Sequence, residues 1–128
     1  MSFRFVTKTV HAYLDYPVAV SLVATPFILG LGQTNPLALW LSVATGVAAF
    51  IMTVLTNHKT GVLRVLPYSI HLAVDRIVGI TFAVAPIVLR FEGLDAWYYW
   101  VNAAAVLLVT FVLNVPESQT EAIMPAHV

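Results

Sequence analysis

Two histidines, each followed four residues later by an aspartate, carry most of the chemical information in this sequence: His11 with Asp15, and His71 with Asp75. On a helix a four-residue step returns to nearly the same face, so each pair shares a face and can satisfy itself within its own helix. Two imidazoles on facing helices are also what a bis-imidazole haem site requires. A zinc site is poorly served by two histidines without a third ligand, and the chain has no cysteine to offer one. A proton path is disfavoured because nothing titratable stands between Arg76 and Arg90. The pairs therefore read first as structural polar contacts knitting two helices together, with no catalytic residue and no metal set expected. A haem- or quinone-associated redox anchor on His11 and His71 is the alternative.

A shift of sixty residues lays one pair on the other. It also brings Val18 onto Val78, Pro26 onto Pro86, Leu29 onto Leu89, Trp40 onto Trp100 and Ala44 onto Ala104. Histidine, aspartate, proline and tryptophan do not align through shared hydrophobicity, so the match marks a duplication. On a helical projection His11, Asp15, Ala19, Leu22 and Pro26 form one stripe about 80° wide, repeated by His71, Asp75, Gly79, Phe82 and Pro86. Charged groups facing lipid are costly and small residues admit close neighbours, so the two stripes are expected to face each other. Arg76 has no counterpart in the first copy, where Tyr16 stands. It is expected to bridge to Asp15 and neutralise that carboxylate. Pro26 and Pro86 free the carbonyls of Leu22 and Phe82 and are expected to bend their helices, with Ser21 or Thr81 and packed neighbours satisfying the backbone. His58, Lys59 and Arg64 lie in a polar break and read as contacts for anionic headgroups. His127 carries no signal.

The elements that must hold these residues are membrane spans. Of the 128 residues 60% are hydrophobic and 9% charged, far below the roughly 25% charged residues of a soluble domain. Six Lys+Arg against six Asp+Glu leave no basic field for nucleic acid. Four stretches approach the roughly 20 apolar residues a span needs: Val10 to Leu31, Leu37 to Leu55, Ile70 to Phe91 and Ala96 to Val115. The first must begin at Thr9 or earlier, because a start at Pro17 would leave it too short. With His11, Asp15 and Pro17 in its apolar run, it is read as retained rather than as a cleaved leader. Arg4, Lys8, Lys59, Arg64 and Arg76 lie toward one side and Arg90 toward the other, so both termini and the Thr56–Pro67 loop are expected in the cytoplasm. Aromatic belts are expected at the two interfaces, with Phe3, Phe5, Tyr13, Tyr16 and Tyr68 at one and Trp40, Trp97, Tyr98, Tyr99 and Trp100 at the other.

The expected fold is thus an all-α membrane protein: four transmembrane helices as two helical hairpins in a parallel tandem repeat. Unit one covers about 9–56, unit two about 69–115, and a tail runs over 116–128. Two spans return each unit to its starting side, so the copies are related by an axis along the membrane normal.

A doubled hairpin with a proline in the first helix of each copy resembles the SPW-repeat family of small bacterial membrane proteins. The tripeptides Thr25-Pro26-Phe27 and Ala85-Pro86-Ile87 stand where that family carries Ser-Pro-Trp; the proline is kept twice, the serine and tryptophan are not. The stretch Leu55 to Gly61, then Arg64 to Pro67 and His71 to Asp75, is similar to the family's linker and second-copy entry. The resemblance implies a small protein of the bacterial inner membrane whose biochemical role is unassigned in the family, with no catalytic residues to carry over; neither an enzymatic activity nor a cofactor is expected. The function expected is a structural or accessory subunit, in contact with membrane lipids and with other membrane subunits or copies of itself.

Overall fold

The computed structural model describes residues 3–116; the expected tail, apart from its first residue, lies outside the described residues. Four helices follow in order: α1 (Lys8–Ile28), α2 (Leu37–Leu55), α3 (Tyr68–Val88) and α4 (Gly93–Leu107), the last continuing as a π-helical turn over Leu108–Val112. No strand occurs among the described residues. Two isolated bridges pair Val6 with Asn114 and Thr56 with Leu66.

α1 starts at Lys8, ahead of Pro17. Thr7 caps it, its hydroxyl accepting from the Val10 N–H at 3.2 Å, which satisfies a donor that no helical carbonyl reaches. The helix ends in a left-handed residue, Gly30 at φ 66°, with Leu31 N–H returning to the Pro26 carbonyl. α3 ends the same way at Arg90, φ 58°, with Phe91 N–H returning to Pro86. α1 and α3 are each 21 residues long and begin and end sixty residues apart.

α2, α3 and the continuous segment Gly93–Val112 are long and apolar enough to cross a membrane. α1 matches them in length, roughly 31 Å at 1.5 Å per residue. It falls short of the sequence expectation in composition, because His11, Asp15, two prolines and two tyrosines dilute its apolar residues. Its outward face is nonetheless apolar. Val20 and Ile28 on α1, Phe50 and Ile51 on α2, Ile77 and Ile87 on α3, and Val101 and Leu108 at the last helix are all exposed. So much outward apolar surface suits lipid rather than water.

Each hairpin closes on a glycine. A Cβ on Gly46 of α2 would meet the Ala19 carbonyl of α1 at 2.8 Å. A Cβ on Gly79 of α3 would meet Leu107 at 2.8 Å and Val106 at 3.2 Å. Ala19 corresponds to Gly79 and Gly46 to Val106, so the small residue has moved from one helix to the other while the close crossing stays.

The hairpins are joined at both ends. At the end bearing Arg90, Leu22, Phe82, Phe91, Tyr98, Tyr99 and small residues form the buried core. Tyr98 and Tyr99, expected in an interfacial belt, turn inward instead, while Trp97 stays 63% exposed. Four consecutive aromatics point in all directions around a helix, and positions 98 and 99 fall on the face shared with Asp95, Ala96 and Ala103. Tyr68 is likewise buried, against the belt expectation, with His11 across an edge-to-face ring contact. Polar contacts cross between the hairpins: Asn35 donates to the Leu89 carbonyl at 2.9 Å, and Gly32 N–H donates to Asp95 at 3.2 Å. At the opposite end, Val6 bonds the chain beyond α4 and Leu66 bonds the chain beyond α2.

Candidate functional site

Pro26 has no N–H and so leaves the Leu22 carbonyl without its helical donor. Ser42, buried on α2, donates to it at 2.7 Å and lies 2.6 Å from the Tyr98 hydroxyl. Because the serine proton goes to Leu22, Tyr98 is the donor to Ser42, and one chain of hydrogen bonds joins α4, α2 and α1. A packed neighbour thus satisfies the first proline's carbonyl, and the expected part of Ser21 is corrected: Ser21 donates to Val18, and Thr81 to Ile77, each within its own helix.

At the other end the helix-entry residues converge. His11 Nε2 lies 3.1 Å from Asp15 Oδ1 in its own helix and 2.8 Å from Asp75 Oδ2 on α3. His71 Nε2 lies 3.3 Å from Asp75 Oδ2 in its own helix and 3.4 Å from Asp15 Oδ2 on α1. Each imidazole thus touches the carboxylate of both hairpins. The side chains are withdrawn from solvent, His11 at 5% and Asp15 at 10% exposure, with Asp75 at 20%. Pro26 and Pro86, further along the same stripes, are also buried.

Two participants are not evident from the stripes. His58, assigned by sequence to headgroup contacts, is fully buried, its Nε2 2.9 Å from Asp15 Oδ2 and its ring 5.5 Å from that of His71. The loop that carries it folds over the start of α1, where Tyr16 donates to the Thr60 carbonyl and the Thr60 hydroxyl to Ala12. Gly61 makes the fold possible, since a Cβ there would overlap the Thr56 carbonyl. Thr56 is the second: its hydroxyl lies 2.6 Å from the Met52 carbonyl and 2.6 Å from His71 Nδ1.

Arg76 does not bridge to Asp15. It donates to the Thr110 carbonyl at 2.6 and 3.2 Å and lies 4.4 Å from the Phe111 ring. One residue past Asp75 the side chain is turned about 100° around the helix, away from α1 and onto the π-helical turn. Asp15 is neutralised by histidines instead.

Between the His/Asp cluster and the tyrosine core lies a cavity of about 420 Å³, bounded by both hairpins. Its walls are mainly aliphatic: Leu14, Val18 and Ala49 from one hairpin and Val74, Val78 and Val109 from the other, at positions sixty apart. The cluster forms its polar end. An apolar chamber ending on two carboxylates and two imidazoles can hold a lipid-soluble body by burial and a small head by charge and hydrogen bonding. Searches against protein-family models, curated proteins and solved structures return no match to this chain.

Proposed function

We propose that this chain is a four-span integral membrane protein, built from two parallel hairpins in tandem, that acts as a non-catalytic accessory subunit by holding a lipid-soluble molecule between its repeats. The observation that carries this reading is the apolar cavity closed at one end by His11, Asp15, His71 and Asp75. Four spans are supported by the outward apolar face of α1 and by its equal length to α3. The tandem arrangement is supported by crossed contacts of matching position, His11 to Asp75 against His71 to Asp15, and by Asn35 and Asp95, sixty residues apart, each bonding the opposite hairpin. The SPW-repeat resemblance and a bacterial inner membrane are consistent with this layout. The positive residues at the cluster end support a cytoplasmic location for that end, with the N-terminus and the Thr56–Pro67 loop. The other outward contacts available are with lipid, neighbouring spans or further copies of the chain. A haem on His11 and His71 has less support, because both Nε2 atoms already face carboxylates within 3.4 Å.

The test is mass spectrometry of small molecules retained by protein purified in mild detergent. Wild type is expected to retain one lipid-soluble guest per chain. Ala48→Phe or Ala105→Phe, each filling the cavity wall, is expected to lower retention by about tenfold or more with helicity and elution unchanged. Protein without a guest, or retention indifferent to both substitutions in folded protein, contradicts the reading.

A further inference from the structure

We propose that His11, Asp15, His71 and Asp75 form a four-ligand site for a divalent transition metal of the zinc type. One ligand atom from each residue lies within 4.8 Å of all the others. His11 Nε2 lies 2.8 Å from Asp75 Oδ2 and 3.1 Å from Asp15 Oδ1, and His71 Nε2 lies 3.3 Å from Asp75 Oδ2 and 3.4 Å from Asp15 Oδ2, so Asp15 meets the two rings through different oxygens. Nitrogen and oxygen ligands about 2.0–2.1 Å from a tetrahedral zinc are about 3.3–3.4 Å apart, so the closer atoms must part and the farther ones draw in around an ion.

Hydrogen bonding around His71 points the same way. The single Thr56 hydroxyl proton goes to the Met52 carbonyl, so toward His71 the hydroxyl can only accept, and His71 carries its proton on Nδ1. With Nε2 protonated as well, the ring donates to both carboxylate oxygens; once that proton is displaced, the Nε2 lone pair points to where a cation would lie between them. An outward Nδ1–H held by a hydroxyl and an inward Nε2 lone pair is how metal-bound imidazoles are oriented. On His11, Nδ1 has no hydrogen-bond partner among the described residues, so the polar contacts of this ring are concentrated at Nε2. His58 stands behind Asp15, 2.9 Å from its Oδ2, and acts as a positioning residue. Two carboxylates balance a divalent charge, and two nitrogen with two oxygen ligands in tetrahedral array suit Zn2+ or its spectroscopic substitute Co2+.

The experiment is titration of chelator-stripped full-length protein in detergent with Co2+, followed by Zn2+. The metal alone is the probe, so the result is independent of whether the cavity holds a guest. The expected result is one equivalent of Co2+ giving the intense visible bands of tetrahedral coordination, displaced by one equivalent of Zn2+. Asp75→Asn is expected to abolish the bands. Thr56→Val and His58→Gln, which spare all four ligands, are expected to weaken binding by about 10–100-fold with the bands retained. Folding of each variant is checked by helical circular dichroism and elution. Wild type that binds no Co2+, binds it with the weak spectrum of octahedral coordination, or binds as tightly when folded Asp75→Asn is used overturns the proposal. If Asp75→Asn does not fold, unchanged affinity in both Thr56→Val and His58→Gln overturns it as well.

Discussion

Asp15→Asn is expected to lower the unfolding free energy by about 3–5 kcal/mol, the cost of removing one partner from a buried ionic cluster. Asp15 lies within 3.4 Å of the Nε2 atoms of His11, His58 and His71. Asparagine keeps the shape but offers one acceptor oxygen, and its NH2 group opposes an imidazole where a carboxylate oxygen stood. Asp75→Asn is expected to cost less, because Asp75 meets only two of these histidines and is more exposed. The ordering is the informative part, read from denaturant titration of both variants in one detergent. Equal losses would mean that His58 contributes nothing to holding Asp15.

The second large effect lies at the opposite end. Tyr99 is fully buried, its ring 4.6 Å from Phe82 and 4.9 Å from Phe91, and its hydroxyl donates to the Ala38 carbonyl at 2.7 Å. Tyr99→Ala is expected to cost about 3–5 kcal/mol, through the cavity it leaves and the dispersion contacts it removes. Burial from water contributes little inside a bilayer, so packing carries this cost. Tyr99→Phe keeps the packing and is expected to cost about 1 kcal/mol for the lost hydrogen bond. If the two substitutions cost the same, Tyr99 is a hydrogen-bonding residue and not the packing centre of this end.

The helices and the meeting of the two His/Asp pairs follow from patterns local in sequence: apolar runs broken by turn residues, and uncommon residue types recurring at one spacing. What escaped sequence reasoning depends on contacts between elements. His58 is a loop residue by every local signal; its burial follows from the loop folding back at Gly61, which no periodicity reports. Arg76 and Asp75 are neighbours in sequence yet diverge because consecutive helical residues point in different directions. Ser42 sits on a different helix from the carbonyl it satisfies, so its role is visible only once α2 lies against α1. The composition of α1 is a different case. Its polar residues weaken it as an isolated span, and two of them, His11 and Asp15, are what it presents to the second hairpin.

The most direct test is a double-mutant cycle across the hairpins with His11→Ala and Asp75→Ala, read as unfolding free energy in detergent. Imidazole and carboxylate 2.8 Å apart should couple, and a coupling energy of about 1–3 kcal/mol is expected. His11→Ala with Arg76→Ala, whose guanidinium faces Thr110, should be additive. Losses for His11 and Asp75 that add within about 0.5 kcal/mol would mean that the polar edges of the two hairpins do not hold each other.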